Sequence, residues 1–267
     1  MDNRLRFTVW RSGTWSAFAD LGPTVTTQGA PAVIAAPTGG VWALFHGFDF
    51  NHYFAAYDLT TWSPPAEPTG ASGARAGALA RNGLNPMMVF SRGLPNELYA
   101  RERVGTWGGD QMLDVPAGFD FNVSPTVTNL TDNTLVAAWV APGGQVRVSF
   151  RTAGAWRPAE NVPMCLASGR VALTRLSDTQ AMIAFRGTDN NLYVTQSTGT
   201  SWSTPTRLAT GIMGSPALAR GIGGASVEVV YLSAGVAQHL RFMGGTWIGP
   251  RTIGGTGLVS VAVASGP

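Results

Sequence analysis

Short apolar runs, broken by Gly, Asn, Asp and Pro, recur from one end of this chain to the other. Five are nearly unbroken: Val41–Phe45 (VWALF), Pro86–Phe90 (PMMVF), Leu135–Val140 (LVAAWV), Ala181–Phe185 (AMIAF) and Val227–Leu232 (VEVVYL). Continuous rather than alternating apolar residues fit strands that are buried on both faces. Each run is followed, after a tight turn, by a strand of mixed character: His52–Tyr57, Leu98–Arg103, Val146–Arg151, Leu192–Ser197 and His239–Met243. A sixth strand of this kind, Leu5–Trp10, stands near the amino end. Stretches rich in small residues precede several of the apolar runs, as at Pro31–Ala36, Pro125–Leu130 and Pro216–Gly221. No ten-residue stretch keeps a helical period, so the pattern predicts an all-β chain.

A longer period organises these strands. Six Trp follow a small or polar turn, at Trp15, Trp62, Trp107, Trp156, Trp202 and Trp247, with successive intervals of 47, 45, 49, 46 and 45 residues. That is the size of one four-stranded propeller blade. The order within each unit is a small-residue inner strand A, the apolar strand B, the mixed strand C, and an outermost strand D that begins at the Trp. The pattern predicts a single domain over residues 1–267, a six-bladed β-propeller with blades of four antiparallel strands. Blades one to five fall at about 30–67, 74–115, 124–162, 168–208 and 215–253. The sixth takes strands C and D from residues 1–22 and strand A from 257–267. Counted around the two ends, Trp247 to Trp15 is only 35 residues, so this blade is one strand short. Closure of the ring then calls for backbone pairing between residues 260–265 and 4–10. An open slot would instead expose strand edges and offer a surface for self-association.

Composition narrows the function classes. Hydrophobic residues make up 45% of the chain and charged ones only 12%, so a large core forms and polar neutral side chains carry solubility. All 18 basic residues are Arg; they are dispersed and the net charge is +3, which argues against nucleic acid as a partner. Cys165 is the single cysteine, which excludes an intramolecular disulfide and a Cys-based zinc cage. No apolar run approaches the ~18 residues of a membrane span. Met1-Asp2-Asn3 leads directly into the first strand, so no signal peptide is read here, and the compartment stays open between cytoplasmic and secreted.

One unit carries a recognisable signature. Phe185-Arg186-Gly187-Thr188-Asp189-Asn190-Asn191-Leu192-Tyr193, followed by Gly199-Thr200-Ser201-Trp202, resembles the repeat of bacterial PLL-type propeller lectins, which are similar to tectonin-like and fungal fucose-binding propeller lectins. Weaker copies are Phe90-Ser91-Arg92-Gly93 with Asn96-Glu97-Leu98-Tyr99, and Phe45-His46-Gly47 with Asp49-Phe50-Asn51-His52-Tyr53. The resemblance spans the chain at the level of the repeat and is sharpest in the fourth unit. It implies a propeller that binds sugars in clefts between blades, with glycans, fucosylated or related cell-surface sugars, as partners. The family varies its pocket residues from blade to blade, and the short seam is a departure from it.

Several residues are candidates for ligand binding. Aligning the repeats places Arg6, Tyr53, Tyr99, Arg147, Tyr193 and Arg241 in one column on strand C. Arg and Tyr combine a flat stacking surface with polar groups, which suits the apolar face and hydroxyl rim of a sugar. The alternative is that they lie over blade edges with their tips in water. Arg92, Glu97, Arg186 and Asp189, at the end of strand B and in the B–C turn, pair guanidinium with carboxylate and can grip vicinal hydroxyls. Asp189 equally suits a structural role in its turn. Trp15, Trp62, Trp107, Trp156, Trp202 and Trp247 are stacking platforms or, on the plainer reading, packing between blades. His46, Asp49 and His52 invite a metal, but their spacing follows no metal motif and no metal or cofactor is expected. The pentapeptide GFDFN occurs twice, at Gly47–Asn51 and Gly118–Asn122, in connections predicted to share one face of the disc.

Enzyme signatures are absent: there is no sialidase Asp-box, no G-x-S-x-G and no phosphate loop. The leading expectation is a non-enzymatic, multivalent carbohydrate-binding propeller. The alternatives are a scaffold that binds protein or peptide and, third, a glycan-cleaving propeller enzyme. If the strand C column carries the sites, Tyr99→Ala and Tyr193→Ala should each weaken sugar binding by up to about tenfold, the worth of one stacked platform at about 0.5–1.5 kcal/mol. Unchanged glycan affinity in both variants, by calorimetry, would show the column to be structural.

Overall fold

Continuous apolar strands must be covered on both faces, and the chain meets this by stacking sheet on sheet. A computed structural model describes residues 4–22, 25–63, 67–73, 75–92, 97–114, 119–120, 122–199, 201–221 and 226–263. Five antiparallel sheets follow one another along it. Blade one comprises Ala32–Ala35, Val41–His46, Asn51–Tyr57 and Glu67–Ser72; blade two Ala78–Asn82, Asn85–Ser91, Leu98–Val104 and Gln111–Asp114. Blade three comprises Thr126–Thr131, Thr134–Val140, Gln145–Thr152 and Glu160–Leu166; blade four Ala172–Arg175, Ala181–Arg186, Leu192–Thr198 and Thr206–Ala209. Blade five comprises Ile212–Arg220, Ser226–Ser233, Val236–Met243 and Thr246–Gly254. In each, strands A to D run in chain order, and the strands A of successive blades lie against one another from blade one to blade five. The architecture is the all-β six-bladed propeller expected from the Trp period.

Alternate residues of strand B serve opposite junctions. Met87 and Val89 join Leu135, Ala137 and Trp139 between blades two and three, whereas Met88 and Phe90 join Leu44 between blades one and two. Val136 and Ala138 of blade three meet Ile183 and Phe185 of blade four, whose Met182 and Ala184 meet Val227 and Val229 of blade five. Each large side chain buried this way contributes roughly 1.5–3 kcal/mol, which is why strand B tolerates no polar alternation. The connections that enter three blades are clipped by the same backbone bond to the end of strand B. Gln28 N–H donates to His46 O (2.9 Å), Asp120 N–H to Val140 O (2.8 Å) and Ser168 N–H to Arg186 O (2.9 Å). This puts Asp120 and Asn122 of the second GFDFN copy on the face that carries the first; Phe119 is buried between blades two and three, and Gly118 and Phe121 lie outside the described residues.

The amino-terminal sheet has the expected C and D strands: Arg6–Phe7 pairs Ala19–Asp20, and Trp10–Arg11 pairs Thr14–Trp15. The seam differs from expectation. Residues 258–263 form no strand and no ladder with residues 4–10; residues 264 and 265 lie outside the described residues. Leu258 N–H donates to Gly235 O (3.0 Å), and Leu258, Val261 and Val263 pack on Val230, Leu232 and Ala237. The apolar face of blade five needs cover, and this segment supplies it with side chains rather than with backbone pairing.

One junction contains a charge pair. Glu102 on strand C of blade two accepts Asn82 Nδ2 (2.7 Å) and Asn85 Nδ2 (3.2 Å) on one oxygen and Arg151 Nη2 of blade three (2.9 Å) on the other. Both charged side chains are largely buried, at 16% and 6% exposed. Removing one partner strands the other, at a cost of about 3 kcal/mol or more, whereas an apolar pair of similar volume is near neutral. Arg151→Met alone should therefore destabilise strongly, and Glu102→Leu with Arg151→Met should recover most of the loss. Urea unfolding of the two single variants and the double variant measures this, and additive single effects would show the pair to be uncoupled.

Candidate functional site

At the face carrying the B–C turns, blades one and four build the same small structure. Gly47 and Gly187 open turns in which Gly47 N–H donates to Asn51 O and Gly187 N–H to Asn191 O, both at 2.9 Å. The third residue's carboxylate folds back. Asp49 accepts Asn51 N–H (3.2 Å), Asn51 Nδ2 (2.8 Å) and the Tyr53 hydroxyl (2.6 Å). Asp189 accepts Asn191 N–H (3.1 Å), Asn191 Nδ2 (2.7 Å) and the Tyr193 hydroxyl (2.7 Å). A Cβ on either Gly would lie 2.6 Å from the Asp carboxylate and within 3 Å of the Tyr ring, so close approach demands glycine here. The Tyr hydroxyl, followed by the Asn51 and Asn191 donors, holds both Asp carboxyls below their ordinary range. Each Tyr stacks on the last aromatic of strand B: Tyr53 on Phe45 at 15° and Tyr193 on Phe185 at 21°, both 5.6 Å apart. Blade two varies the theme. Tyr99 stacks on Phe90, its hydroxyl donates to Glu97, and Arg92 lies 4.8 Å over its ring.

The remaining candidates are dispersed. Arg92 pairs with Asp110, not with Glu97, and Asp110 also takes Arg101. Arg186 Nε donates to Ser168 Oγ (2.8 Å), not to Asp189. Arg147 lies opposite Trp139 and donates from Nη2 to Ala159 O (3.3 Å). Arg6 Nε and Arg4 Nη1 share Asp20, each at 3.0 Å. Arg241 leaves the column. Blade five connects B to C by a two-residue turn, Ala234–Gly235, with φ of 50° and 75°, so strand C starts at Val236 and Gln238 occupies the column position opposite Tyr231. Arg241, three residues on, points to the other face.

The Trp side chains fill junctions. Trp62 packs against Phe7 of the first sheet (5.6 Å), Trp107 against Phe54 of blade one (5.5 Å) and Trp202 against Phe150 of blade three (6.4 Å). Trp156 and Trp247 pack against the cores between blades two and three and between four and five. Trp15 differs, being 65% exposed against 9% for Trp202.

Among the described residues, clefts open at two junctions on the opposite face, that of the A–B and C–D turns. Between blades three and four lies a cleft of about 250 Å³, walled by Phe150, Thr152, Arg157 and Glu160 of blade three and by Asp178 and Thr179 of blade four. Between the first sheet and blade one lies another, of about 290 Å³, walled by Phe7, Val9, Trp15, Ser16 and Tyr57. The two are equivalent in the repeat. Phe150 and Val9 each precede the strand C residue that pairs with the blade Trp, and Arg157 and Ser16 each follow that Trp. Apart from Trp15, none of the residues in these clefts was a candidate in the sequence, because they come from separate strands with no shared motif. Between blades two and three the corresponding place is plugged by Glu102 and Arg151.

His46 and His52 do not converge with Asp49. His46 Nε2 lies 2.7 Å from Gly73 O, and His52 reaches Ala71 O (3.3 Å) and Arg75 O (3.0 Å), so the pair anchors the connection into blade two.

These features define a six-bladed β-propeller with aromatic and polar clefts between blades. No family model and no curated protein matches the chain. Among solved structures it is similar to the BP39L lectin from Burkholderia pseudomallei, with TM-score 0.84 and 19% identity over 98% of this chain and 82% of that one. It is also similar to AofleA from Arthrobotrys oligospora, with TM-score 0.70 and 14% identity over 98% and 84% of the two chains. A third is the Aleuria aurantia lectin, with TM-score 0.64 and 14% identity over 95% and 89%. Among the described residues no helix is long and apolar enough to cross a membrane.

His52 carries a pH dependence. Burial, followed by the neighbouring His46, pushes His52 down from 6.5 to about 4. A group with a lowered folded pKa stabilises the fold above its unfolded value and loses that contribution as pH falls through the folded one. Stability should fall by about 3 kcal/mol between pH 6.5 and 4, and His52→Gln should flatten this slope whatever it does to absolute stability. Denaturant titrations across that range check it; an unchanged slope in the variant would place the effect elsewhere.

Proposed function

We propose that this protein binds glycans, without turning them over, in clefts between neighbouring blades. The observation that carries this reading is the cleft between blades three and four. A sugar ring has apolar C–H faces and a rim of hydroxyls, and Phe150 offers a surface for the first. Arg157 donates to hydroxyls, Glu160 and Asp178 accept from them, and Thr152 and Thr179 do either. The equivalent cleft beside Phe7 and Trp15 supports a repeated site, and repetition supports avidity from several weak contacts. The solved neighbours support it too. A point mutant of the Aleuria aurantia lectin is known in complex with Fucα1-6GlcNAc and the SapL1 lectin with α-methyl fucoside, so fucosylated glycans are the first ligands to test.

The Tyr and Arg column belongs to the proposal as a second set of contacts on the opposite face. Tyr53 and Tyr193 would act there through their rings, since their hydroxyls are engaged by Asp49 and Asp189; Tyr99, buried with Phe90 on one face and Arg92 on the other, would act by supporting Arg92. Arg6, Arg147, Arg92 and Arg186 would act through guanidinium groups, and the Trp of each blade by shaping the junction.

The test is a glycan array followed by calorimetry on the best hit. Phe150→Ala should weaken binding by up to about tenfold and Glu160→Gln by a similar factor, with melting temperatures near the parent's. Binding that is indifferent to both changes would remove this cleft from the proposal. Sustained release of reducing sugar by the pure protein would replace binding by catalysis.

A further inference from the structure

Blade five bears a charged cluster that belongs to neither cleft. Glu228 on strand B lies directly across from Arg241 on strand C, and His239 lies two residues away on the same face. Strand D completes the patch, with Arg251 opposite His239 and Ile248 opposite Arg241. One Glu228 oxygen accepts Arg241 Nε (2.7 Å), and the other lies 2.6 Å from His239 Nε2. The carboxylate is 14% exposed and Arg241 is 51% exposed. Glu228 thus spends both oxygens within the sheet and orients Arg241 through Nε. The two Nη groups of Arg241 have no partner among the described residues, nor does Arg251, which is exposed.

The surroundings leave this patch open and positive. Leu258, Val261 and Val263 cover Val230, Leu232 and Ala237 of the same face, and Arg241, Ile248 and Arg251 stay exposed beyond them. Arg241 and Arg251 outweigh Glu228. The cleft between blades three and four, by contrast, balances Arg157 and Arg175 with Glu160 and Asp178.

We propose that the outer part of the blade five face binds an anionic sugar. The Nη groups of Arg241 grip its carboxylate or sulfate, Arg251 stands alongside, and the sugar ring lies over Ile248, which is 43% exposed. A guanidinium held by its Nε presents a planar two-pronged edge, which matches an oxyanion and loses little freedom on binding. The proposal rests on the glycan-binding reading above but involves none of the residues of that cleft.

Methyl β-glucuronide and methyl β-glucoside differ only by the carboxylate, and glucose 6-sulfate carries sulfate instead. Calorimetry on the full chain at low salt should show the glucuronide, the sulfate or both bound about tenfold or more tighter than the glucoside, with the preference shrinking as salt rises. The two anions report which group fits better. Arg241→Gln with Arg251→Gln should abolish the preference; the substituted amide can still donate to Glu228, whose other oxygen stays with His239, so the melting temperature should move by a few degrees at most. Phe150→Ala should leave the preference intact. Equal affinity for all three sugars, or a preference that survives in the double variant, overturns the proposal. If neutral glycans fail and the glucuronide still binds, the cleft reading falls while this one stands.

Discussion

Everything in this fold depends on one constraint: each sheet is apolar on both faces and is stable only when both are covered. A single four-stranded sheet of this composition would expose Met87 and Val89 on one side and Met88 and Phe90 on the other. Stacking in series buries both sets, and only a ring removes the two ends. The same constraint explains the carboxyl-terminal segment. Val261 and Val263 lie on blade five as a cover because Val230, Leu232 and Ala237 would otherwise face water.

Function enters where stacking is incomplete. Near the axis the junctions are filled by small and aliphatic side chains, and further out the Trp of blades one to five rests on the preceding one. The outermost part of a junction is left to whichever residues the two blades happen to bring. Glu102 and Arg151 plug it between blades two and three. Phe150 with Arg157, Glu160 and Asp178 leaves it open between blades three and four, and Phe7 with Trp15 and Tyr57 leaves it open and aromatic beside blade one. One backbone arrangement therefore offers chemically different recesses. The opposite face is more uniform, because the Gly-x-Asp-x-Asn-x-Tyr turns of blades one and four use their polar groups to hold themselves together.

The legible part of the chain was that in which one residue type marks one backbone position. The Trp turns, the apolar strands B and the Gly47 and Gly187 turns repeat because the same local geometry recurs, and they gave the blade order directly. Arg241 shows where such reading breaks. Its neighbourhood resembled the column in residue type, but the Ala234–Gly235 turn is shorter than the turns of blades one and four, and the shorter turn moves strand C so that Gln238 takes the place. Arg186 and Asp189 show a second failure. They are near in sequence and chemically suited to pair, yet Asp189 is taken by Tyr193 and Asn191 and Arg186 by Ser168.

By itself the sequence determined the class of fold, the number and order of its repeats and the turns that define them. Those follow from local conformational preference and from the burial of contiguous residues, both of which are written along one dimension. Tertiary structure alone decided which side chains meet across a junction. Phe150 and Asp178 share a cleft, and Glu102 and Arg151 share a charge pair, because neighbouring blades are held in a register set by all their buried contacts together. No local stretch of sequence contains that register.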